Sequence, residues 1–131
     1  VDYLEWTGTK DPSAFLSVPA AIQFMEDHHW DEVRLCCNGL LRQALHRIGE
    51  LTGLPPVYPE GQDLFCQMAV APIPANVDPA VLKGCLYDEF RIEIPVLEWG
   101  DRKFLRISVQ GYNSQEDIDA LVKAVEAFLS R

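Results

Sequence analysis

The chain has 131 residues, about one domain's worth of protein. Apolar side chains make up 48% and charged ones 24%, a soluble globular balance with enough chain to bury a core without staples. No apolar run approaches the ~20 residues of a spanning helix, and twenty acidic against eleven basic side chains (net charge −9) argue against nucleic acid and anionic membranes as partners.

The first segment, Val1 to Thr9, has neither a basic leader nor an apolar run of signal-peptide length; nothing in the cysteine usage points to an oxidising compartment, so a cytoplasmic protein is expected. The start at Val1 rather than Met suggests a piece of a longer protein. Asp11-Pro12-Ser13 reads as a helix start, with Asp as cap and Pro in the first turn. Phe15, Val18, Ile22 and Met25 follow at helical spacing, and Pro19 demands either a kink or a restart capped by Ser17. His28-His29-Trp30 closes the segment.

Asp31 opens a longer helix with Val33, Cys37, Leu40, Ala44, Ile48 and Leu51 on one face, and Gly53 ends it. Pro55-Pro56 through Gln62 is loop, and Leu64 to Val70 reads as a buried strand. Asp78-Pro79 starts a helix to about Glu89, with Val81, Leu82, Cys85 and Leu86 facing inward. Phe90 to Leu97 alternates apolar with polar, as does Phe104 to Val109, with the turn Trp99-Gly100-Asp101 between them. Arg106 and Ser108 fall on the face opposite Leu105, Ile107 and Val109. Ser114 with Asp117 has capping-box spacing, and Ile118, Leu121, Val122, Val125 and Leu129 make the stripe of a last helix. The order αβαββα after the first helix predicts an α+β fold, a small antiparallel or mixed sheet with helices on one face.

The chemistry-bearing residues are few. The four cysteines, among them the adjacent Cys36 and Cys37, read as small, reduced, buried thiols. No metal-ligand spacing is present, and adjacent His28 and His29 point in different directions on a helix; His29, Cys36 and His46 would meet only through tertiary folding. Nucleophile-elbow and phosphate-loop motifs are absent too. Glu26-Asp27 and Glu116-Asp117 fit solvated helix faces better than catalytic carboxylate pairs.

Two places remain. Gly8-Thr9-Lys10-Asp11-Pro12 stands at a helix start, where backbone N–H groups, a hydroxyl and an ammonium suit an anion; plain capping is the alternative. Arg106 sits in a strand between apolar neighbours, and its fork suits a carboxylate, either a ligand's or that of an acidic neighbour such as Glu93.

Trp6 to Ala21 (WTGTKDPSAFLSVPAA), Arg91-Ile92-Glu93-Ile94-Pro95 and Phe104 to Asn113 (FLRISVQGYN) resemble segments of the isopenicillin N epimerase-like branch of the class V aminotransferases, enzymes that use pyridoxal phosphate (PLP). The resemblance runs in order over nearly the whole chain and is weakest from Leu54 to Asp63. It implies a C-terminal piece of such an enzyme. Residues 1–30 would close the large cofactor domain, and 31–131 would form the small domain.

By the same resemblance, Thr9 matches the threonine that reaches the PLP phosphate of the neighbouring subunit of a homodimer. Arg106 matches the arginine that holds the α-carboxylate of the amino-acid substrate, and Tyr112-Asn113 would fix the turn behind it. Lys10 replaces an arginine of the branch, which puts any phosphate contact there in doubt. The lysine that carries PLP and the acid opposite its ring nitrogen belong to the large domain, and none of Lys10, Lys83, Lys103 and Lys123 has a matching context. The chain alone is therefore expected to be inactive and to bind no PLP. The whole enzyme would remove an α-proton, leading to epimerisation, elimination or transamination. Pro95 to Gly100 lacks the cysteine of the related desulfurases, which implies no desulfurase activity. The alternatives are a stand-alone binding or assembly domain that keeps the fold without the cofactor half, and a small metal protein built on the histidines and cysteines.

Overall fold

The computed structural model describes residues 8–59, 61 and 63–131; Trp6 and Thr7 of the N-terminal motif, and Gln62 at the end of the expected loop, lie outside them. The chain divides into two compact units, Val1–Glu32 and Val33–Arg131.

In the first unit, α1 (Ser13–Leu16) and α2 (Val18–Asp27) are separate helices. Pro19 lies in the first turn of α2, where its missing N–H costs no hydrogen bond. The chain therefore restarts at Ser17, whose hydroxyl donates back to the Ala14 carbonyl at 3.0 Å instead of capping α2. Asp11 lies two residues ahead of α1, and its carboxylate accepts the Ser13 N–H at 2.9 Å and the Ser13 hydroxyl at 2.5 Å. The Phe24 and His28 rings stack at 4.1 Å. The apolar stripe is present, but among the described residues of this unit it meets no core: Phe15 is 61% exposed and Ile22 48%.

The helix α3 (Trp30–Thr52) begins one residue before the expected Asp31, after His29 in the left-handed region at φ 48°. The unit from Val33 onward then adds β1 (Met68–Ile73), α4 (Pro79–Phe90), β2 (Val96–Trp99), β3 (Arg102–Ser108) and α5 (Gln115–Leu129). The sheet is antiparallel throughout, in the order β1-β3-β2, with Val70 opposite Arg106 and Leu97 opposite Phe104. The α+β expectation holds. One face of the sheet (Ala69, Ala71, Ile73, Leu105, Ile107) packs into a single core with Cys37, Leu41, Ala44 and Ile48 of α3, Leu82 and Leu86 of α4, and Ile118 to Val125 of α5.

Several boundaries move, each for a local reason. The first strand starts at Met68 rather than Leu64, because the Asn38 side chain takes the carbonyls of Phe65 and Cys66, at 3.1 and 2.6 Å. It runs on through Pro72, which an edge strand tolerates. Phe90 ends α4 instead of opening a strand, and Arg91 turns the chain in the left-handed region at φ 59°. Residues 91–95 run outside the ladder, although Ile94 is buried as the alternation predicted. In α3 it is Leu41, not Leu40, that is wholly buried, and in α4 Val81 is 58% exposed. The caps form as expected: Asp78 accepts from the N–H groups of Ala80 and Val81, and Asp117 accepts the Ser114 N–H at 3.0 Å.

Candidate functional site

Arg106 is raised on the face of the sheet away from the helices. Strand alternation places it there, between Leu105 and Ile107, which both point into the core. Its backbone N–H reaches the Pro95 carbonyl at 3.0 Å, which holds β3 against the strand side of the chain. Its side chain is exposed and makes no ion pair among the described residues; the pairing with Glu93 left open by the sequence does not form. The open face has Met68, Val70 and Pro72 on β1, Arg102, Phe104, Arg106 and Ser108 on β3, and Leu97 and Trp99 on β2. Its strand residues bear two guanidinium groups and no carboxylate, in a chain where acids outnumber bases.

The loop after β3 is held by Asn113. Its side-chain oxygen accepts the Gln110 N–H at 2.9 Å, and its amide donates to Asp117 at 3.2 Å. Tyr112, expected to share this work, is 84% exposed. Asp117 is held below the usual carboxylate range by the Ser114 N–H and then by Asn113.

Thr9 lies in the other unit, exposed, four residues ahead of α1. Beside it, the Lys10 ammonium sits 4.7 Å over the Phe15 ring. Asp11 is held below its ordinary value by the Ser13 hydroxyl and then the Ser13 N–H, while the N-cap position of α1 is Pro12 and no side chain caps it.

The expectation of four buried thiols needs correction. Cys37 and Cys85 are buried, whereas Cys36 and Cys66 are exposed, since only one face of α3 meets the core and Cys66 precedes the ladder. Burial, and then its hydrogen bond to Glu89, pushes the Cys85 thiol up. Glu89 in turn forms a forked pair with Arg131, which ties the ends of α4 and α5 and holds Glu89 below its ordinary value. Among the described residues no three His, Cys, Asp or Glu side chains gather as a metal site, and no helix is long and apolar enough to cross a membrane.

Open hollows lie among the described residues of this unit. One of about 890 Å³ lies among Leu51, Val77, Val81, Cys85 and Leu129; another, about 660 Å³, lies between α3, the Leu54–Pro59 loop and β1, where the Tyr58 hydroxyl accepts the Val70 N–H at 3.1 Å. Arg106 lines neither.

No family model matches the chain. Individual proteins do. It is 34% identical over 123 residues to isopenicillin N epimerase of Amycolatopsis lactamdurans, covering 94% of this chain and 31% of that protein. Against the isopenicillin N epimerase of Streptomyces clavuligerus it is 31% identical over 124 residues, 95% of this chain and 31% of that one. These relatives are class V aminotransferase-like proteins about three times longer, and the chain matches their C-terminal portion.

A probable cysteine desulfurase of Halalkalibacterium halodurans is 28% identical over 123 residues, 91% of this chain and 30% of its own length. The chain thus spans just under a third of the curated relatives it matches. Among solved structures, 8-amino-7-oxononanoate synthase from Francisella tularensis superposes with a TM-score of 0.57 at 18% identity, over 85% of this chain and 31% of that one, which supports the fold.

Relatedness to PLP-dependent families raises the question whether these residues fit the cofactor. Lys103 donates to the Val77 carbonyl at 2.6 Å on the helix side of the sheet, and Lys83 and Lys123 are exposed on α4 and α5. None of these three shares the open face with Arg106. Among the described residues, what the face bearing Arg106 fits is an anion such as a carboxylate.

Sequence reasoning passed over Arg102. Its signal was available: it stands four residues before Arg106 in one alternating strand, and so on the same face.

Proposed function

We propose that the chain is the small-domain part of a PLP-dependent enzyme acting on an amino acid, in which Arg106 holds the substrate α-carboxylate. The observation that supports it is the Arg106 guanidinium itself, exposed on a sheet face whose strand residues include no acid, and without an ion pair among the described residues. Its five donors in a planar fork match a carboxylate through two parallel hydrogen bonds. Two bonds fix the plane of the carboxylate and the direction of its bond to Cα; the rotation about that bond is left to other groups. The sheet supplies the rigidity, since Leu105 and Ile107 lock β3 into the core on either side.

On this reading residues 1–30 close the cofactor domain and 31–131 form the small domain. Thr9 meets the PLP phosphate of the neighbouring subunit in a cytoplasmic homodimer. The reaction is an epimerisation, elimination or transamination, an isomerase or transferase activity that begins with loss of the α-proton. The groups that remove the proton and carry PLP come from outside this chain.

The test is amino-acid binding by the longest natural protein that contains this chain. Arg106→Ala weakens binding by about tenfold or more, the scale of a charge-assisted hydrogen bond, and leaves the PLP absorption band in place. Loss of the band with unchanged affinity overturns the assignment. The isolated chain, given PLP, develops no such band.

A further inference from the structure

Between α3 and β1 the chain is tied down unevenly. Its far end is fastened to α3: Arg42 bonds Asp63 at 2.7 Å and lies 4.9 Å over the Phe65 ring, and the Asn38 amide donates to the Phe65 and Cys66 carbonyls. The near end, Leu54–Pro59, is held far less. Among the described residues no backbone hydrogen bond reaches 55–59, and Pro55, Pro56 and Pro59 have no N–H to offer. Of Leu54, Val57 and Tyr58, only Tyr58 packs against the core. Its ring meets Phe65 at 4.8 Å, and its hydroxyl accepts the Val70 N–H at 3.1 Å.

Val70 stands opposite Arg106, whose own N–H leaves β3 on the far side for the Pro95 carbonyl. Opposed residues of an antiparallel pair point their N–H groups both inward or both outward, so the Val70 N–H faces off the edge of the sheet. The Tyr58 hydroxyl covers a donor that the ladder leaves free. Val57 and Tyr58 line one side of the hollow of about 660 Å³, with Leu45, His46 and Gly49 of α3 on another. The segment starts at Gly53, which ends α3 in the left-handed region at φ 65°, and a second left-handed glycine, Gly61 at φ 75°, follows it. A Cβ at either would meet nothing within 4 Å, so these glycines serve the turning of the backbone rather than close packing. The prolines between them fix φ and stiffen the stretch.

We propose that Leu54–Pro59 is a strap that swings as one piece about Gly53, with the Tyr58 hydroxyl as its latch. Latched, it walls the hollow and covers the edge of β1 at Val70. Released, it widens the hollow and bares that edge at the position opposite Arg106. One neutral hydrogen bond and one ring contact are weak restraints. Both positions are therefore populated, and they exchange on the microsecond-to-millisecond scale of lid opening. The strap is independent of what Arg106 binds.

The test is methyl relaxation dispersion on the longest natural protein containing this chain, with its Leu and Val methyl groups labelled. Leu54, Val57 and Val70 exchange at one shared rate, while Leu82 and Val125 of the core stay quiet. Tyr58→Phe keeps the ring and removes the acceptor, and it raises the released fraction by about fivefold to tenfold. Phe65→Leu removes the ring contact, keeps the hydroxyl, and raises the same fraction. Core methyl groups that remain quiet in both variants separate release of the strap from general loosening. Absence of exchange at Leu54 and Val57 in all three proteins overturns the strap. A different rate at each residue also overturns it, because that is fraying rather than one moving piece. A released fraction that Tyr58→Phe leaves unmoved overturns Tyr58 as the latch.

Discussion

Leu105 and Arg106 are adjacent in β3 and stand on opposite faces of the same sheet. Leu105 is wholly buried under three helices, whereas Arg106 is exposed on a face that no described helix covers. The helix side is built from Ala69, Ala71, Ile73 and Ile107 against Leu41, Leu86 and Val125, and apolar burial of that kind holds the fold together. The other side has two guanidinium groups without an ion pair among the described residues, which add nothing to a core. Period-two alternation lets one strand serve both ends, and it makes stability and binding separable by single substitutions one residue apart.

The comparison is broken most sharply at that pair. Leu105→Ala removes a side chain from the middle of the core and costs about 2–5 kcal/mol, the usual range for such cavities. Arg106→Ala touches no core atom and changes stability by no more than about 0.5 kcal/mol. Thermal or urea unfolding of the two variants checks both. A comparable loss from Arg106→Ala would show that its face is structural, and would remove the distinction.

A smaller effect sharpens the role of the helices that cover the sheet. Asp78 accepts two backbone N–H groups, from Ala80 at 2.8 Å and Val81 at 3.1 Å, at the start of α4. Asp78→Ala leaves these donors to water and costs about 1 kcal/mol. Asp78→Asn or Asp78→Ser restores most of it. If Ala and Asn behave alike in unfolding experiments, the cap contributes nothing.

Much of this architecture is legible in the sequence where the signal is local. Asp78-Pro79 announces α4, Ser114 and Asp117 announce α5, and the alternation from Phe104 to Val109 gives β3 and its two faces. The errors fall where a distant residue decides. Leu64 to Cys66 looks like strand until the Asn38 amide, nearly thirty residues upstream, takes its carbonyls. Residues 91–95 alternate as a strand does, yet burial of Ile94 creates that pattern without a ladder; Pro95 has no N–H to give, and Arg91 has already turned the chain. The candidate site divides in the same way. Arg106 stands out as a charge between apolar neighbours, but that Glu93 leaves it unpaired is a tertiary fact, and so is the lean of Arg102 toward Phe104.

The helix side also carries charges, on its solvent rim, and unlike the arginines of the open face these are paired. Arg47 of α3 bonds Asp119 of α5, and Arg131 bonds Glu89. Asp119 is held below its ordinary value by Arg47 and then Gln115, Glu89 by Arg131, and Asp117 by the Ser114 N–H. A carboxyl whose folded value is depressed takes up protons first in the unfolded chain. Its stabilising effect is therefore present above the unfolded value, about 4, and is lost as pH falls through the folded one. Loss of negative charge from a chain of net charge −9 relieves repulsion over the same range and works the other way, so the total profile alone does not isolate these pairs. The difference between variants does. All three groups lie at the surface, so the effect is small. Melting temperatures measured from pH 6 to pH 3 place Asp119→Asn below the unaltered protein at pH 6, and the gap narrows as pH falls below about 4. A gap that stays constant, or widens in acid, overturns the assignment of Asp119 as a charged partner of Arg47.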